Sequence, residues 1–153
     1  MNDTDILQRI QADMTAAMKS RDAETLSTLR MLKTALMEAR TKKPKDVGLS
    51  ADEEIEILKR YAKKRREAIE EFRKVGRADL VASEEREIEV TARYLPEELG
   101  EEEIRARIRE AVAKTGAVGP KDMGKVVGVV MAGARGRVEG GTVSRLVREI
   151  LSG

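Results

Sequence analysis

Apolar residues recur at spacings of three and four along almost the whole chain, and no segment sustains the two-residue alternation of a β-strand. The pattern predicts an all-α protein. Ile6, Leu7, Ile10, Met14 and Met18 share one helical face, and Leu26, Leu29, Leu32 and Leu36 share another, with the short "KSRD" turn between them. These two segments predict an antiparallel hairpin. After the breaker-rich loop "TKKPKDVGL", Ser50 and Glu53 stand at the spacing of a capping box and open a long helix. Its apolar stripe is Ile55, Leu58, Ala62, Ile69 and Phe72, and Gly76 is its stop signal. A fourth helix from about Asp79 should turn Leu80, Ile88, Ala92 and Leu95 inward, and Pro96 prevents its continuation.

"LPEELGEEE" therefore marks a domain boundary, which predicts an N-terminal helical domain over residues 1–95 and a small three-helix domain over residues 96–153. The three later helices are expected over residues 101–114, 120–134 and 143–151. Ile104, Ile108, Ala111 and Val112 face inward on the first of them. Pro120 suits a first helical position, and Thr142 is the expected N-cap of the last helix.

Composition narrows the chemistry. Apolar residues make up 41% and charged residues 38%, enough for a core under a dense ionic surface. With no Cys and no His, the chain has no disulfide, thiolate nucleophile, imidazole base or common zinc-ligand set. The acidic N-terminal stretch lacks the positive charge of a secretory signal, and the apolar run Val126–Ala134 is too short to span a bilayer. A cytoplasmic protein without a membrane partner is the expectation.

Thirty basic residues against 28 acidic ones leave a net charge of only +2, so the distribution carries the information. From Lys59 to Arg77 there are nine basic and three acidic residues, and from Asp79 to Glu103 there are ten acidic and two basic. These consecutive helices should pair their charges, although the same basic run could also form an RNA-binding face. From Ile104 onward, ten basic residues oppose four acidic ones. Tyr61, Phe72 and Tyr94 are the only aromatics, too few for a base-stacking platform. RNA contacts would go to phosphates and shape, and no DNA partner is expected.

The glycine-rich stretch from Gly119 invites comparison with a nucleotide loop. "GPKDMGKV" satisfies a Walker A pattern through its lysine, but Val126 stands where a Ser or Thr must hold magnesium, and no strand delivers the loop. No nucleotide or metal cofactor is expected. Gly124 and Gly128, four residues apart, instead suggest a face where another helix packs closely. Gly136 and Gly140 belong to an interhelical turn that displays Arg135 and Arg137, a seat for a phosphate or simply a solvated basic turn.

The opening "DMTAAMKSRDAETLSTLRMLKTAL", the junction "YLPEELGEEEI" and the C-terminal "DMGKVVGVVMAGARGRVEGGTVSRLVREIL" resemble the GatB/YqeY family, over about Ile6 to Leu151. The C-terminal half is similar to the tail domain of the B subunit of glutamine-dependent aspartyl/glutamyl-tRNA amidotransferase, and related domains are appended to some glutaminyl-tRNA synthetases. By position, the tail-like features are Gly124, Lys125, Gly128, Gly136, Arg137 and Gly140. Glu139 stands where the family more often has aspartate, Val127 where methionine is frequent, and Gly141 where lysine is frequent.

The resemblance implies a tRNA-linked role, with contact to the tRNA elbow. Together with the basic C-terminal domain it predicts a non-catalytic accessory protein that binds structured RNA, with Lys121, Lys125, Arg135, Arg137, Arg145 and Arg148 as the candidate contacts. The alternative is an adaptor that docks on an aminoacyl-tRNA synthetase or amidotransferase without touching RNA. A label of carbon-nitrogen ligase with glutamine as amido donor would describe the relatives' complex, because no catalytic residue is visible in this chain.

Overall fold

The computed structural model describes residues 5–134 and 136–152, and among them it is entirely helical, without a strand. The helices are α1 (Ile6–Ser20), α2 (Ala23–Thr41), α3 (Ala51–Lys74), α4 (Ala78–Ala92), α5 (Glu101–Thr115), α6 (Met123–Gly133) and α7 (Gly140–Ser152), with a 3-10 turn (Pro120–Asp122) leading into α6. Contacts group them into two compact units, Met1–Leu95 and Pro96–Gly153.

Local chemistry sets the helix ends of the first unit. Asp5 caps α1 by accepting the Gln8 amide at 3.3 Å, and Asp22 caps α2 by accepting the Thr25 amide at 3.1 Å. Between the two helices, Arg21 adopts a left-handed conformation (φ 60°) and lets the chain reverse at once. At α3 both halves of the capping box form: Ser50 Oγ accepts the Glu53 amide and Glu53 accepts the Ser50 amide, each at 3.1 Å. Gly76 (φ 71°) ends that helix.

The core of this unit joins Ile6, Ile10 and Ala17 of α1 with Leu29, Leu32 and Leu36 of α2, Leu58 and Tyr61 of α3, and Val90 and Tyr94. Two expectations need correcting. Met18 is 52% exposed, because the hairpin core closes at Ala17 one residue before it. Ala92 is exposed, and α4 instead buries Val90 and Thr91, followed by Tyr94. Thr91 tolerates complete burial because its hydroxyl donates to the Glu87 carbonyl at 2.8 Å.

The charge reversal between α3 and α4 becomes contact. Arg65 lies 3.3 Å from Glu84 and 3.9 Å from Glu87, and Arg73 lies 3.6 Å from Glu85. The Tyr61 hydroxyl donates to Glu87 at 2.6 Å while the Arg65 guanidinium lies 4.8 Å from the centre of its ring.

In the second unit, Ile104, Ile108 and Ala111 of α5 pack with Val126 and Val130 of α6 and with Val143, Leu146 and Val147 of α7. Leu99, Ala134 and Val138 close the ends of this core. The last helix starts at Gly140, earlier than expected, so Thr142 lies inside its first turn and does not cap it. The Val143 amide bonds to the Glu139 carbonyl at 3.1 Å, which draws the preceding residues into the helix.

Candidate nucleic-acid interface

The interhelical turn after α6 is built around its backbone. Gly136 adopts φ 72°, a conformation costly for residues with a Cβ, and the Arg137 amide donates back to the Ala134 carbonyl at 2.8 Å. The Arg137 carbonyl then accepts the Leu99 amide at 2.8 Å, and its Nε donates to the Glu97 carbonyl at 3.1 Å. Arg137 is therefore half-buried, and it staples the entry segment of α5 to the turn. Next to it Val138 is 3% exposed and anchors the turn in the core. Arg135 lies outside the described residues.

α6 and the 3-10 turn before it, which carries Lys121, present two rows of residues to solvent. Lys121, Lys125, Val129 and Gly133 follow one another at intervals of four residues, beside Gly124, Gly128 and Ala132 at the same interval. All but Val129 on these stripes are small or cationic, and both lysines are exposed. Asp122, between them in sequence, accepts the Val118 amide at 3.0 Å, and that bond holds its carboxyl below the usual carboxylate range. The close-packing role expected of Gly124 and Gly128 is overturned. Both are exposed, and a Cβ added at either would meet nothing within 4 Å, because the final helix packs on the opposite, valine-bearing face. Gly140 is also exposed, with a Cβ placed only 4.0 Å from the Met131 methyl.

A cleft of mixed charge flanks this face, with Glu110 lying between two cations of α5. Those cations, Arg107 and Lys114, two turns apart on α5, line the cleft of about 210 Å³ with Val129 and Gly133 of α6. Arg107 donates to the Gly133 carbonyl at 3.3 Å and also lies 3.8 Å from Glu103.

A family model described as Yqey-like protein matches residues 7–151. The chain belongs to the YqeY-like family. A relative from Pyrenophora tritici-repentis, altered inheritance of mitochondria protein 41, mitochondrial, is 31% identical over 151 residues, covering 95% of this chain and 81% of that protein. An uncharacterized protein of Schizosaccharomyces pombe is 38% identical over 88 residues, covering 58% of this chain and 70% of that protein.

In this YqeY-like chain the six basic residues singled out by sequence do not form one group. Lys121, Lys125 and Arg148 are exposed and carry no ion pair among the described residues. Arg145 is held between Glu101 and Glu149, the latter at 3.2 Å. Its hydrogen bond to Glu101 keeps the arginine well charged and the Glu101 carboxyl below its ordinary value. Arg137 is committed to the turn. Arg107 and Lys114 precede the glycine-rich segment in which the sequence concentrates its basic candidates. Their separation of seven residues on an amphipathic helix was the available signal. Among the described residues, no group of three or more acidic side chains is placed to hold a metal ion.

Proposed function

We propose that this protein is a non-catalytic accessory protein whose C-terminal unit binds structured RNA, tRNA foremost, through phosphates laid along the exposed face of α6. The observation that carries this reading is the bareness of that face. A glycine inside a helix costs about 1 kcal/mol relative to alanine, and Gly128, mid-way along α6, does not recover that cost through an internal contact; Gly124, in the first turn, is equally bare. A face without Cβ atoms lets a phosphodiester backbone approach the helix, while Lys121 and Lys125 supply charge from the adjoining stripe. Lys114 adds a cation from α5, in a lining that also holds Glu110. The link to glutamine-dependent tRNA amidation or aminoacylation rests on the family resemblance, and the proposed compartment is the cytoplasm.

Fluorescence anisotropy with total tRNA at two salt concentrations tests the reading. Binding that weakens as salt rises is expected, since phosphate contacts release counterions. Absence of binding even at low salt would sink it.

A second reading, an adaptor docking on an aminoacyl-tRNA synthetase or amidotransferase, is favoured by the exposed methionines of the α1–α2 hairpin, Met18, Met31 and Met37. Methionine surfaces adapt readily to a partner. Partners retained after nuclease treatment would favour this reading over RNA binding.

A further inference from the structure

We propose that the groove between α2 and α3 is a second RNA-backbone site, formed by Lys42, Arg60 and Lys64, within the N-terminal unit. It takes its class of ligand from the reading above but shares none of its residues. The groove holds about 340 Å³ and is lined by Ala35, Ala39 and Ile57, the two alanines leaving room between the helices. Lys42 rims it from the C-terminal end of α2, while Arg60 and Lys64, one turn apart, rim it from α3. Glu38 is the one carboxylate in the lining, so the groove is positive by two.

The division of labour on α3 makes these cations distinctive. Arg65 turns toward α4 and meets Glu84 and Glu87, Arg73 bridges Glu70 at 3.0 Å and Glu85 of α4 at 3.6 Å, and Lys74 and, just beyond the helix, Arg77 pair locally with Glu71 and Asp79. Arg60 and Lys64 lie on the α2 side, and neither they nor Lys42 form an ion pair among the described residues. Three cations gathered around a single carboxylate leave an excess of positive charge that a polyanion neutralises.

The walls of the groove favour phosphate over an acidic polypeptide. Both walls are helices whose mid-helix backbone groups are already hydrogen-bonded, so an extended peptide would find no ladder to join. With Ile57 as its one large aliphatic side chain, the lining offers little to the row of apolar anchors an amphipathic helix carries. Tyr61 reaches the groove, but its hydroxyl is held by Glu87 and its ring lies beside Arg65, so it provides no platform for a base. What the groove offers is cationic side chains, suited to a phosphodiester backbone read without sequence.

The full chain carrying Lys42→Gln, Arg60→Gln and Lys64→Gln tests the site, with fluorescent tRNA titrated between 50 and 200 mM salt. The slope of log K against log salt should fall by about 2 to 3, and affinity at the lower salt should drop about tenfold or more. Lys19→Gln, Arg30→Gln and Lys33→Gln remove the same charge from the same unit and should leave the slope nearly unchanged. Equal effects of the two triples would overturn the proposal, as would unchanged RNA affinity combined with lost retention on poly-glutamate. Cross-linking of the unmodified chain to 4-thiouridine RNA gives a readout independent of the variants. Adducts on α2 and α3 are expected, and their absence would overturn the site. Binding that survives Lys121→Ala with Lys125→Ala but falls with the groove triple would keep this site and remove the C-terminal one. The reverse result would do the opposite, and a chain that binds no RNA loses both.

Discussion

The carboxylate of Glu54 on α3 accepts the backbone amide of Leu7 at 3.2 Å, across 47 residues of sequence, and so caps the N-terminus of α1 from a different helix. Glu54 is only 6% exposed. Its desolvation raises the carboxyl above its ordinary value, and the Leu7 amide offsets part of that rise. The bond secures an end that Asp5 caps at only one other amide.

Glu54→Ala should therefore lower stability by about 1–2 kcal/mol, the cost of losing a cap and leaving its donor short of a partner. Glu54→Gln keeps an acceptor and should cost less. The folded state holds this proton more tightly than the unfolded one, so Glu54 makes stability fall as pH rises from about 4.3 through its raised value. Urea midpoints between pH 4 and 7 should show that component in the unmodified chain and lack it in Glu54→Gln.

Gly128→Ala should stabilise the second unit by about 1 kcal/mol, and Gly124→Ala, in the first turn of α6, by less, because in both the added methyl enters open space. If RNA lies on this face, the same changes should weaken tRNA binding. Thermal melts and anisotropy on the same samples would then move in opposite directions, a result that a glycine buried against another helix could not give. Gly136→Ala, at φ 72°, should instead destabilise by about 1 kcal/mol.

Lys121→Ala with Lys125→Ala should reduce the salt slope of tRNA binding by about 2, one unit for each lost phosphate contact, and weaken binding alike for different tRNA sequences. Arg148 is exposed one turn from Arg145 on α7, and Arg148→Ala measured in the same assay shows whether that helix belongs to the surface.

Arg137→Ala should act mainly on stability. It removes the Nε bond to Glu97 but leaves the backbone bond to Leu99, so a loss of about 0.5–1.5 kcal/mol is expected. At temperatures where the variant is folded, its tRNA affinity should stay within about twofold of the parent, a shift near the ±0.5 kcal/mol of ordinary surface changes.

Most of the fold was legible because its signals are local. The capping box at Ser50 and Glu53 involves residues three apart, and the charge reversal between α3 and α4 is written in consecutive segments. The misreadings have physical causes. α4 was oriented by its aliphatic side chains, but its buried face includes Thr91, whose hydroxyl finds a partner within the helix, and the stretch just beyond buries Tyr94, whose hydroxyl donates to Asp13 of α1. Gly124 and Gly128 look alike in sequence whether a neighbour covers them or solvent does, and only the side on which the valines pack decides it. Arg137 resembled a displayed cation until Glu97 and Leu99 were placed beside it. Glu54 gave no hint of its role, since its partner lies on another helix.

Tyr61 and Tyr94 both lie in the first unit with their hydroxyls bonded to carboxylates, and the chain has no tryptophan. Near-ultraviolet light therefore sees one unit and is blind to the other. Tyrosine emission follows the melting of residues 1–95 alone, while far-ultraviolet dichroism follows all seven described helices. Recording both on one sample turns this uneven placement of chromophores into a measure of whether the two units melt as one, with no added label.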